Sequence, residues 1–195
     1  MDLLKRALGL VVAGVVFFGL LGVYLTWAPD KPVEALTAKW APPPSQFIAL
    51  QGMQVHLRDE GPRDDPLPIV LLHGTSASLH TWEGWAEALR GQRRVIRMDL
   101  PGFALTGPNP ENDYSIERYV AFVAALADQL GVQRFVLGGN SLGGQIAWAT
   151  AVTHPQRVAS LILVDASGYA FESAKTPIDV PIGFQMARIK PLAPL

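Results

Sequence analysis

Cysteine is absent from all 195 residues, which excludes disulfides, thiolate metal sites and a cysteine nucleophile. Its absence leaves the compartment open, because a protein facing an oxidising space can also lack cysteine. An excess of either charge is missing as well: 16 Lys and Arg stand against 17 Asp and Glu, for a net charge of −1. No basic run occurs, so nothing draws the chain to nucleic acid or acidic lipid, and no nucleic-acid partner is expected. Zinc-type ligand spacing and internal repeats are missing too, and neither a metal nor a cofactor is expected. What is present is the composition of a globular protein, 49% hydrophobic and 17% charged, long enough for one domain with a real core.

Charge is scarcest near the N-terminus. Leu8 to Trp27 is an uninterrupted uncharged stretch, and a helix of that length, at ~1.5 Å per residue, covers the ~30 Å hydrocarbon core of a bilayer. Lys5 and Arg6 precede it, while Tyr24 and Trp27 sit near its far end, where amphipathic rings favour the interface. Residues 1–28 therefore read as a single-pass anchor that enters the membrane through residues 8–27. The basic residues hold the N-terminus in the cytoplasm, and the remainder lies outside it, in a periplasm or lumen. The alternative is a cleaved signal peptide and a secreted product. Against it, a signal core usually runs only ~7–15 residues, and Trp27 and Pro29 occupy the zone where cleavage wants small residues. A Val33/Ala35 pair lies only beyond Asp30, Lys31 and Pro32. Residues 29–45 read as a Pro-rich tether: Lys31-Pro32 and Ala41-Pro42-Pro43-Pro44 favour extended polyproline backbone. Within it, Val33 to Trp40 has room for a helical turn or two against the membrane.

From Gln46 the pattern changes. Gln46–Leu50 and Met53–Arg58 alternate and are joined at Gln51-Gly52, a hairpin signal. Ile69-Val70-Leu71-Leu72 is continuously apolar, as a strand covered on both faces requires, and it ends at His73-Gly74. A helical stretch follows over Trp82–Leu89, then a strand over Arg94–Met98 ending at Asp99. Ser115 can cap a helix in which Ile116, Tyr119, Val120, Val123, Leu126 and Leu130 recur at three- and four-residue steps, and Gly131 stops it. Strand Phe135–Leu137, a helix to about Thr153 and strand Leu161–Val164 complete an alternation that implies a mainly parallel sheet with helices on both faces, edged by the antiparallel hairpin.

The most informative stretch is Gly139-Asn140-Ser141-Leu142-Gly143, between a buried strand and a helix. A glycine-crowded turn with an exposed serine is its plain reading. In this strand–turn–helix context it reads as a nucleophile elbow, where the serine sits at the tip of a strained turn and small neighbours let strand and helix close on each other. The helix that starts at Leu142 also aims free N–H groups at the place where an oxyanion would form.

Over about residues 46–168 the chain resembles the α/β-hydrolase superfamily. The motifs that carry the likeness are Leu71-Leu72-His73-Gly74, Asp99-Leu100-Pro101-Gly102 and Gly139-Asn140-Ser141-Leu142-Gly143-Gly144, in the family's order, with Val158–Asp165 similar to its sixth strand. The elbow is similar to those of carbon–carbon bond hydrolases of aromatic degradation and of several esterases, and the anchor to that of membrane-bound monoacylglycerol lipases. One departure is Ala104, where the family commonly carries glycine in the loop after the fourth strand.

The resemblance implies that Ser141 attacks an acyl carbonyl and that the backbone N–H groups of Leu142 and Thr75 hold the oxyanion. An acyl-enzyme is the implied intermediate. Serine rather than aspartate argues against haloalkane dehalogenases and epoxide hydrolases of the same fold. The family order then requires an acid and a histidine. Asp165 is a candidate acid, with a loop-capping aspartate as the alternative. His154, the one histidine after Ser141, lies at the far end of the helix leading away from the elbow. His73 shapes the oxyanion loop, His56 lies in the hairpin, and His80 can line the mouth of the site. Residues 169–195, with four prolines, resemble the start of a cap or lid. The expectation is thus an N-terminal portion of a longer fold, truncated after about the sixth strand, inactive alone for want of the histidine, its last strand an exposed apolar edge. The implied activity is that of a membrane-anchored serine hydrolase acting on a small, apolar acyl substrate. The alternatives are a non-catalytic binding protein or decayed hydrolase, and a carbon–carbon bond hydrolase.

Overall fold

The computed structural model describes residues 2–29 and 31–168. The expected cap segment, 169–195, lies outside them. The chain divides into two compact units, one holding the N-terminal helix and the other spanning Pro32–Ala170. In the first, helix α1 runs Asp2–Thr26. Its segment Lys5–Thr26 has a mean hydropathy of 2.5 and none of its apolar window is buried, so it is long and apolar enough to cross a membrane.

In the second unit the sheet is built from β1 (Gln46–Leu50), β2 (Met53–Glu60), β3 (Ile69–Leu72), β4 (Val95–Met98), β5 (Phe135–Asn140) and β6 (Val158–Val164), in the spatial order β1-β2-β4-β3-β5-β6. The hairpin pairs antiparallel, and β2 joins β4 antiparallel, while β4, β3, β5 and β6 run parallel. Gln51 and Gly52 both adopt positive φ, 49° and 78°, which a two-residue turn needs if it is to match the strand twist. The crossovers are α3 (Glu83–Leu89, entered through a 3-10 turn at Leu79–Trp82), α4 (Ile116–Gln129) and α5 (Leu142–Thr153).

Burial explains why the strands read as they do. All four residues of β3 are buried: Val70 and Leu72 face the larger core with Phe122, Val123 and Leu126 of α4 and Ile146 of α5, and Ile69 and Leu71 face Trp82 and Ala86. Helices thus cover both faces. Ser115 caps α4, its hydroxyl accepting from the Arg118 N–H at 3.3 Å, and Gly131 turns left-handed just after it, at φ 67°. β6 is the edge strand among the described residues, and Leu161 and Leu163 on it are exposed.

Within the segment read as a Pro-rich tether, Val33–Trp40 forms helix α2, where the sequence left room for a helical turn or two. The carbonyl of Trp40 accepts from His80 Nε2 at 2.9 Å, and Ser45 bonds to side chains of β2. The stretch is therefore fastened to the domain rather than free.

Candidate active site

β5 delivers the chain to Ser141, whose backbone is left-handed at φ 51° and ψ −115°, and α5 begins at the next residue. A non-glycine residue held there stores on the order of 1–3 kcal/mol of strain. Its surroundings hold it in place. The Ser141 N–H donates to the Val164 carbonyl at 3.1 Å, and its carbonyl accepts from Gln145 N–H at 3.0 Å and Ser167 N–H at 3.1 Å. The glycines are there for space. A Cβ on Gly139 would overlap the Gly143 carbonyl, one on Gly143 would lie 2.5 Å from the His73 oxygen, and one on Gly144 2.6 Å from the Ala166 Cβ.

The loop after β3 presses against the same turn. A Cβ on Gly74 would lie 2.8 Å from Asn140 Oδ1 and 3.1 Å from the Ser141 Cβ. Thr75, exposed, follows Gly74 in this loop. Leu142 directly follows Ser141 as the first residue of α5, and its N–H has no acceptor within the helix.

His73 braces this loop. It is fully buried; its Nδ1–H donates to the Gly74 carbonyl at 2.8 Å and its Nε2 accepts the Leu100 N–H at 2.9 Å. Only the neutral tautomer satisfies both bonds, and burial holds the imidazole below its ordinary value against the opposing Gly74 carbonyl and Asp99 charge. Its ring meets Phe103 edge-on at 5.5 Å. Asp99 makes the neighbouring brace: Oδ1 accepts Leu79 N–H at 2.8 Å, and Oδ2 accepts Leu105 N–H at 3.1 Å and His56 Nδ1–H at 2.7 Å. Ala104 adopts φ 44° although it carries a Cβ, so the loop keeps a left-handed turn without glycine.

None of the remaining candidates has a side-chain hydrogen bond to Ser141 among the described residues. Asp165 follows β6 at φ 45°, exposed, with no side-chain hydrogen bond or ion pair among the described residues. His154 ends α5, roughly 20 Å along the helix from Ser141 at ~1.5 Å per residue. His80 is bound to Trp40 and lies 3.6 Å from Glu83. His56 is bound to Asp99 and Ser45. None of the chain's four histidines is hydrogen-bonded to Ser141. No group of three or more metal-ligating side chains occurs among the described residues.

Two features escape sequence reading: the triple acceptor role of Asp99, and a buried polar ladder over β2 and β4. A signal exists for the second, since His56, Arg58 and Glu60 share one face of β2 at two-residue spacing.

A family model described as alpha/beta hydrolase fold matches residues 68–187. The chain is 36% identical to the 2-hydroxy-6-oxo-2,4-heptadienoate hydrolase of Pseudomonas putida over 130 residues, 65% of this chain and 46% of that protein. It is 30% identical to mouse epoxide hydrolase 4 over 58% of this chain and 32% of the relative. Among solved structures it is similar to a membrane phospholipase A described as a bacterial virulence factor, with TM-score 0.64 and 28% identity over 85% of this chain and 53% of that one. A meta-cleavage product hydrolase from Pseudomonas fluorescens matches at TM-score 0.60 and 29% identity, over 65% of this chain and 47% of the other. The chain spans about half or less of the length of the curated relatives it matches.

Proposed function

The chain belongs to the α/β-hydrolase fold family, and we propose that it carries the nucleophile of a membrane-anchored serine hydrolase that cleaves an ester or related acyl bond. The observation that carries this reading is Ser141 itself, strained at the strand–helix turn with the Gly74 loop packed against it. In the proposed reaction Ser141 Oγ attacks the acyl carbonyl carbon and loses its proton to a base. The oxyanion takes hydrogen bonds from the Leu142 and Thr75 N–H groups, each such donor being worth ~2.7–4 kcal/mol in the transition state. Collapse expels the alcohol and leaves an acyl-enzyme, which water hydrolyses. Asp165 is the candidate acid and sits at the sheet end nearest the elbow strand. The substrate class is a small molecule with an apolar acyl group. α1 holds the domain at a bilayer, with Lys5 and Arg6 on the cytoplasmic side.

Since no histidine of this chain bonds to Ser141, imidazole added to the buffer takes the place of the base. An alkyl fluorophosphonate should modify the Ser141 peptide at a rate that rises with imidazole, and Ser141→Ala should remove that adduct. A folded chain with no Ser141 adduct at any imidazole concentration would turn the reading toward a binding protein.

A second reading, carbon–carbon bond hydrolysis of a vinylogous diketone, is favoured by the 36% identity to the heptadienoate hydrolase. Turnover of such a dienoate by the complete protein, without turnover of simple esters, would select it. A serine where an epoxide hydrolase carries aspartate argues against epoxide opening.

A further inference from the structure

We propose that Ser45, His56 and Asp99 form a second nucleophilic centre, separate from Ser141, that accepts an acyl group on Ser45 Oγ. Ser45 Oγ lies 2.9 Å from His56 Nε2, and His56 Nδ1 lies 2.7 Å from Asp99 Oδ2. Backbone donors fix the protons along this line. Asp99 accepts the Leu79 and Leu105 N–H groups as well as His56, so it is a carboxylate and Nδ1 carries the proton. Nε2 is then a lone pair directed at the Ser45 hydroxyl, which is the order of roles that activates a serine.

The array is held rigidly. His56 and Asp99 are 0% and 1% exposed. The His56 ring stacks on Phe47 at a centroid distance of 5.1 Å, and its backbone N–H donates to Thr106 Oγ1 at 3.1 Å. Ser45 itself is half-buried, so a reagent can reach it. Arg58 Nε donates to Ser45 Oγ at 3.0 Å, so a buried cation orients the hydroxyl; its other end is shared with Glu83 at 3.0 Å. A cavity of about 240 Å³ meets the array at Asp99; His80, Leu36, Trp40, Ala104 and Leu105 also line it, and Ser45 and His56 do not. The His80 ring is 6.4 Å from that of His56. The volume and lining suit a short apolar acyl chain.

The step balances without a cofactor. Ser45 Oγ bonds to the carbonyl carbon of an activated ester while its proton passes to His56 Nε2. The bond from that carbon to the leaving alkoxide breaks, and the alkoxide takes the proton from His56. The products are an ester on Ser45 and a free alcohol, with Asp99 ionised throughout.

The test uses the full chain in detergent micelles, without added imidazole, and a short alkyl fluorophosphonate, with adducts mapped by peptide mass spectrometry. Ser45 should be modified equally in the wild type and in Ser141→Ala, and the adduct should vanish in Ser45→Ala. In His56→Gln, modification should slow about 100-fold, as expected for loss of a general base. Because His56 is buried, a second variant guards against misfolding: Ser45→Cys should be alkylated by iodoacetamide faster than Ser160→Cys, on an exposed strand position. A folded Ser141→Ala chain with an unmodified Ser45, or a Ser45→Cys chain alkylated no faster than Ser160→Cys, would reduce the array to a clamp on the residue before β1. The Ser141 and Ser45 peptides are read separately, and only Ser141 depends on imidazole, so the two readings fail independently.

Discussion

At Ala104 the backbone takes a left-handed turn at φ 44°, a conformation that costs an L-residue with a Cβ roughly 1–2 kcal/mol. Ala104→Gly should therefore raise stability by about 1 kcal/mol, offset in part by the greater freedom of glycine when unfolded, and urea denaturation measures it. A loss of stability would mean that the Ala104 methyl, on the wall of the cavity beside Leu105, contributes more by packing than the strain removes. His73 carries a pH dependence. Burial holds its folded value below the ordinary ~6.5, so the unfolded chain binds the extra proton first. The stabilising contribution is complete above the ordinary value and is lost as pH falls through the lower folded one. In melts between pH 7.5 and 5 the wild type should lose stability toward acid more steeply than His73→Gln, which itself is weaker throughout for leaving the Leu100 N–H poorly paired. Parallel pH curves for the two proteins would remove His73 from the account. The role of His73 in the loop was legible because the residue stands at a strand end before glycine. The role of Asp99 was not, since its partners Leu79 and His56 are 20 and 43 residues away and leave no local pattern.

β2 and β4 meet with Arg58 opposite Arg97, two cations side by side in a sheet, which is tolerable only because carboxylates stand over them. Arg97 is fully buried and binds Glu60 at 2.7 Å and Glu83 at 2.8 and 3.0 Å. Its hydrogen bond to Glu83 is the main reason that this carboxyl falls to about 2, against the opposing effect of partial burial. Arg97→Met should destabilise by ~3–5 kcal/mol, because it leaves carboxylates over a dry strand pair. The triple variant with Glu60→Leu and Glu83→Leu should recover most of that loss, because an apolar substitute removes the desolvation penalty along with the attraction. Wild-type stability from Glu83 is complete above the ordinary carboxyl value of 4.5 and disappears as pH falls toward about 2; Arg97→Met should flatten that acid limb. A triple variant no better than Arg97→Met would show that the network sets the strand pairing rather than only covering it. The order of strands and helices was legible from the runs Ile69–Leu72 and Phe135–Leu137 and from the three-and-four spacing of α4. This network was not, because a strand of mixed charge reads as a solvated face, and only the helix that crosses over it, α3, shows that it is covered.

The two units of the chain differ in how much apolar surface they leave exposed. The domain from Pro32 buries its apolar side chains, whereas α1 leaves Leu10 and Tyr24 more than 70% exposed. In water such a surface is costly, at about 25 cal/mol per Å², and the helix that carries it is long and apolar enough to cross a membrane. The short helix at Val33–Trp40 was legible as a turn or two, but the bond from His80 to the Trp40 carbonyl was not, since the two residues are 40 apart and leave no local pattern. The anchor reading predicts that the chain, expressed with its N-terminus intact, stays with membranes through alkaline carbonate washing at its full mass of 21.1 kDa. Val16→Arg and Leu20→Arg each place a cation at the centre of the span, at ~2.5–3.5 kcal/mol apiece, and together should release it. A shorter, soluble product from the unaltered sequence would establish signal cleavage instead. Orientation is open to the same protein, because it has no native cysteine: Ser160→Cys, exposed on β6, should react with a membrane-impermeant maleimide added outside intact cells. The anchor reading also predicts that replacing both Lys5 and Arg6 with glutamate weakens that labelling, because basic residues beside a span favour the cytoplasmic side. Labelling of the Ser160→Cys chain only after the membrane is broken would place the domain on the cytoplasmic side and reverse the topology.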